Sequence, residues 1–129
     1  MDKPPLYGSL LLLAYACDER MPVIEKMSIG ERDARLLMLR EWMFGKRMFH
    51  LSHCPHCGEK IEWETDTSSM RIQDFNEQTI EEVFRMDYEG RDIQFRLPNS
   101  RDMIRTMRSP NSPIKHLRID LLRSCILKV

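Results

Sequence analysis

The chain has no surplus of either charge: 20 Lys and Arg stand against 20 Asp and Glu in 129 residues. Phosphate backbones are bound through a basic excess on one face, so nucleic acid is not an expected partner. It also lacks any run approaching the roughly 18 apolar residues of a membrane span. A Gly-rich phosphate loop, an HExxH pair and a G-x-S-x-G elbow are all missing, and the acidic residues are scattered as solvated faces. With no catalytic set, the chain reads as a non-enzyme. Cys17, Cys54, Cys57 and Cys125 are too unevenly spaced for a disulfide framework and suit a reduced, cytoplasmic chain. Ser9 to Cys17 has the outline of a lipoprotein signal. Its apolar run is short, however, and bulky Tyr15 stands where a small residue is wanted, so a helix is the better reading.

What is present fits the length of one ordinary domain. Leu6 to Asp18 reads as a helix that is apolar nearly all round and therefore buried. Pro22 breaks the chain. Ser28-Ile29-Gly30-Glu31 has the form of a capping box opening a second helix, which runs to about Phe44 and stops at Gly45. Beyond Gly45 the apolar residues alternate. Met48 to Leu51 and Ile61 to Glu64 predict two strands around Cys54-Pro55-His56-Cys57-Gly58, and Thr65 to Thr79 predicts a loop with a short strand at Ile72. Phe84 to Tyr88 and Ile93 to Leu97 predict a hairpin turning at Glu89-Gly90. Asn99 caps a helix to Arg108. A break at Ser109–Pro113 then leads, with Ser112 as N-cap, to an amphipathic last helix carried by Ile114, Leu117, Leu121, Leu122, Cys125 and Ile126 to the chain end. The expected fold is α+β, one domain in three regions: 1–46 helical, 47–98 knuckle and β-hairpin, 99–129 helical. The ten methionines are expected to fill the core.

The motif that carries chemistry is Cys54-Pro55-His56-Cys57-Gly58. Two thiolates at i and i+3 in a tight turn face one ion, Pro55 presets the turn, and Gly58 frees the backbone beyond it. Between strands this is a zinc knuckle, with Cys54 and Cys57 as metal ligands and zinc as the suggested cofactor. Structural zinc takes four ligands, and only two are evident. The others among Cys17, Cys125, His50, His53, His56 and His116 are weaker candidates. Three alternatives follow: zinc held by this chain alone, zinc shared with another chain or copy, or an empty knuckle. Cys-Pro-His-Cys is also the active-site tetrad of some thiol-disulfide oxidoreductases, where a helix N-terminus acidifies the first thiol. The strand-like Lys60 to Trp63 follows instead, so neither Cys54 nor Cys57 is expected to be unusually acidic. Arg91, Arg96, Arg101, Arg105 and Arg108 form a basic stretch offset by Glu89, Asp92 and Asp102, and read as ordinary surface charge.

Several stretches, in order, resemble small proteins encoded in clusters for contractile phage tails and phage-tail-like injection systems, distantly similar to T-even phage baseplate hub assembly chaperones. They are Ser28-Ile29-Gly30-Glu31-Arg32-Asp33-Ala34-Arg35-Leu36-Leu37 running into Leu39-Arg40-Glu41 and Phe44-Gly45, then Cys54-Pro55-His56-Cys57-Gly58-Glu59-Lys60-Ile61-Glu62, then Phe95-Arg96-Leu97-Pro98-Asn99-Ser100-Arg101-Asp102, and the Cys125 helix. The resemblance implies a non-enzymatic binding component or assembly chaperone of a contractile-tail baseplate. Its partners would be other baseplate or tail proteins or a second copy of itself. It would be cytoplasmic during assembly and then part of a tail or tail-like particle. Members of that family continue further and carry a second Cys-Pro-x-Cys-Gly. A chain ending at Val129 is thus expected to be a short member, a truncated gene or a fragment, with an incomplete zinc ligand set. A zinc-ribbon adaptor unrelated to tails, or a Cys-Pro-His-Cys oxidoreductase, are the rival readings.

Overall fold

Leu6, Leu10 and Leu13 recur at helical spacing, and Pro5 suits a first helical turn because its missing N–H has no partner to lose there. In the computed structural model, which describes residues 5–70, 83–107 and 113–129, they lie on α1 (Pro5–Ala16). Leu10 and Leu13 are buried, together with Ile24 of the six-residue α2 (Met21–Lys26). Leu6, Ala14, Cys17, Met21, Met27, Leu36 and Ile104 pack around those three side chains. Burial of each is worth about 2 kcal/mol, so this cluster anchors the helical half of the molecule.

Two expectations are corrected here. The first helix is not buried all round, because Leu11, Leu12 and Tyr15 are exposed. Pro22 does not break the chain but sits within the first turn of α2, a position proline tolerates. The methionines are divided as well. Met21 and Met27 pack on the core, whereas Met43, Met70, Met86 and Met107 are exposed.

The helix α3 (Ile29–Phe44) begins as its sequence dictates: the Ser28 hydroxyl accepts the Glu31 amide at 3.2 Å. The reciprocal half of the box is replaced by an ion pair, with the Glu31 carboxylate turned to Arg35 one turn on at 2.9 Å. Gly45, at φ 79° and ψ −179°, ends the helix in a region essentially confined to glycine. The chain then enters an antiparallel ribbon of β1 (Arg47–His53) and β2 (Lys60–Asp66), paired from Arg47↔Asp66 to His53↔Lys60. Its base is tied to α3. Arg40 donates to the carbonyls of Gly45 at 2.7 Å and Arg47 at 2.9 Å, and buried Thr67, at the start of a short 3-10 turn, hydrogen-bonds the Glu41 carboxylate.

A second sheet has the order β3-β4-β5. The hairpin of β3 (Phe84–Tyr88) and β4 (Arg91–Phe95) turns through Glu89 at φ 51° and Gly90 at φ 76°, the left-handed pair that matches strand twist in a two-residue loop. The third strand was not expected. The last helix, α5 (Ile114–Cys125), does not run to the chain end; Ile126–Lys128 leaves it as β5 and pairs with β4 at Phe95↔Ile126. Along the chain, α4 (Ser100–Met107) comes between β4 and α5 and is capped reciprocally. The Asn99 side-chain oxygen accepts the amides of Arg101 (3.0 Å) and Asp102 (3.2 Å), and the Asp102 carboxylate accepts the Asn99 amide (3.0 Å). Helices thus flank antiparallel strands in an α+β fold, as the change of periodicity at Gly45 predicts. The strand expected at Ile72, the end of α4 at Arg108 and the cap at Ser112 lie outside the described residues; Pro113 immediately precedes α5.

Candidate metal centre and exposed ribbon

The Cys54–Gly58 turn stands at the tip of the β1–β2 ribbon. The Gly58 amide donates to the Cys54 carbonyl at 2.9 Å, and the Cys54 amide to the Glu59 carbonyl at 2.8 Å, closing the loop. Gly58 takes φ 74°, which a side chain would resist. This geometry turns backbone N–H groups onto sulfur. The Cys54 thiol is held below its ordinary range by the Cys57 amide first, then by the His56 amide and the Cys57 thiol. No helix starts at Cys57, but the turn presents amides of its own. The oxidoreductase reading gains nothing from this, because β2 begins at Lys60 where that fold needs a long helix.

The other candidate ligands do not converge on the knuckle. Cys17 lies beside α3, its sulfur 4.0 Å from an Arg35 nitrogen. Cys125 is buried at the end of α5, 4.0 Å from the Ser124 hydroxyl. His50 stacks on Trp63 across the ribbon, with ring centroids 4.9 Å apart. His53 pairs with Lys60 across the strands, His56 is exposed within the turn, and His116 is exposed on α5. Among the described residues, no group of three or more His, Cys, Asp or Glu could hold a metal ion. The two thiols of Cys54 and Cys57 are together, which suits a soft, tetrahedral ion such as zinc as half of its donor set.

Three arginines of the basic stretch, Arg96, Arg101 and Arg105, are engaged internally. Arg96 grips the Asp102 carboxylate with two nitrogens at 2.6 and 2.9 Å, and the Ser124 carbonyl at 2.9 Å, joining β4, α4 and α5. Burial would push the Asp102 carboxyl up; the Arg96 hydrogen bonds, the Asn99 amide and the Arg96 charge outweigh it and hold the group below the usual carboxylate range. Arg105 also reaches Asp102 at 3.2 Å, and Arg101 pairs with Glu25 at 3.0 Å. Arg108 lies outside the described residues.

Sequence reading missed how open the ribbon is. No residue of β1 or β2 is buried. Phe49 (76% exposed) and Leu51 (58%) lie on one face, beside Glu62 and Glu64. Ile61 and Trp63 are exposed on the other face, where His50 covers one side of the indole. At the base, Trp42, Met43 and Phe44 of the last turn of α3 are also exposed. Alternation in the sequence assigns Ile61 and Trp63 to one face of a strand but does not say what covers that face. No helix among the described residues is long and apolar enough to cross a membrane.

A family model described as T4 bacteriophage base plate protein matches residues 12–129. No curated protein and no solved structure matches the chain.

Proposed function

We propose a function on one premise: the chain belongs to the T4 bacteriophage base plate protein family, whose model matches it over residues 12–129. On that premise it works by binding, as a non-enzymatic component or assembly chaperone of a contractile-tail baseplate, and its partners are other tail proteins. The observation that carries the binding role is the uncovered ribbon. A two-stranded sheet is marginal in water by itself, and aromatic and large aliphatic side chains are what protein interfaces enrich. Phe49, Leu51, Ile61 and Trp63 are held out on such a sheet, anchored at its base by Arg40 and Thr67. Seating them against a partner would bury apolar area worth about 25 cal/mol per Å² and stabilise the ribbon at once.

Deleting the gene from its tail cluster tests the proposal. Electron microscopy of the lysate is expected to show tubes and sheaths without baseplates, restored by supplying the chain in trans. Tails of normal number and form in the deletion strain would refute it.

A further inference from the structure

We propose that Cys54 and Cys57 are one half of a tetrahedral zinc site, and that a second copy of this chain completes it with its own Cys54 and Cys57. The site would join two ribbons tip to tip.

The donor set is half-built. The turn is closed by the Gly58 amide donating to the Cys54 carbonyl at 2.9 Å, which sets Cys54 and Cys57 as two soft donors at i and i+3 of one tight loop. Pairing along both strands up to His53↔Lys60 holds the turn at the end of the ribbon, clear of the helical core. Cys57 is exposed and Cys54 partly so, so an ion can be reached from outside. No third donor is near among the described residues, and Cys17 and Cys125 are engaged elsewhere, with Arg35 and at the end of α5. Two sulfurs leave zinc with two open positions, which water fills only weakly.

A second copy is the occupant that the geometry and charge favour. A two-fold axis through a tetrahedral ion demands two donors from each side, and each tip offers two. Isologous contact needs no complementary surface beyond the one present. The chain is formally neutral, so copies approach without long-range repulsion. Binding would release the thiol protons to solvent as the four zinc–sulfur bonds form, so affinity rises with pH.

Zinc or cobalt titration of the purified chain, followed by sedimentation and native mass spectrometry, tests this. The expected result is a zinc-dependent doubling of mass at about half an equivalent of metal per chain, reversed by chelation. Cobalt should give thiolate charge-transfer absorption that saturates at the same ratio. Cys57→Ser should lose both metal and dimer while keeping the far-ultraviolet dichroism of the parent, and Cys17→Ser should keep both. A monomer binding one full equivalent, a dimer indifferent to chelator, or absence of cobalt–thiolate absorption would each overturn the proposal. So would loss of metal in Cys17→Ser.

Discussion

At the scale of the residue, the Arg96–Asp102 pair ties β4 to α4, and Arg96 reaches on to α5. The Asp102 side chain is 4% exposed, and its oxygens accept from Arg96, Arg105 and the Asn99 amide. Removing one member of a buried pair leaves the other charge without its partner, which costs about 3–5 kcal/mol; Arg96 is partly solvated, so the lower end applies. Asp102→Asn is therefore expected to lower unfolding free energy by about 3 kcal/mol in urea denaturation. The pH dependence follows from the depressed carboxyl. Its stabilisation is fully present above the ordinary carboxylate range and is lost as pH falls through the lower, folded value. The parent should thus lose stability in acid more steeply than Asp102→Asn, and equal slopes would show that the pair contributes little. Nothing local reveals this clasp, because Arg96 and Asp102 meet through the packing of three elements. Asn99 as a cap, by contrast, is legible from its type and its place before Ser100.

At the scale of the element, Gly45 marks the passage from helix to strand, and Glu89-Gly90 marks the tight hairpin; both follow from backbone chemistry that few residues supply. The strand β5 was illegible for a physical reason. Ile126 continues the apolar spacing of Leu122, so the local pattern favours more helix, and only pairing with Phe95 draws the chain out. The two sheets also differ in support. Phe84 stacks on Phe95 at 5.6 Å and β5 covers one edge of β4, while among the described residues β1 and β2 pair only with each other. Amides of the ribbon should therefore exchange with deuterium faster than those of α1 around Leu10 and Leu13, by about tenfold or more, despite an unbroken ladder from Arg47 to His53. Equal protection would mean that the ribbon is stabilised by something other than its own pairing.

At the scale of the whole molecule, a small apolar cluster of Leu10, Leu13 and Ile24 supports a chain whose aromatic side chains stand largely outside it: Tyr15, Trp42, Phe44, Phe49 and Trp63 are all exposed. A periodicity can assign a face to a strand but cannot say whether the layer that covers it belongs to the same chain. Under the proposed function that layer would come from other tail proteins, since the chain belongs to a baseplate protein family. The most direct measurement is tail assembly by the double variant Phe49→Ser/Leu51→Ser, scored by electron microscopy and by recovery of the chain with tail proteins. Both side chains are exposed, so folding should change little, within about 0.5 kcal/mol. The double variant is expected to fold and no longer to support baseplate formation; wild-type numbers of complete tails from it would contradict a binding role for the ribbon.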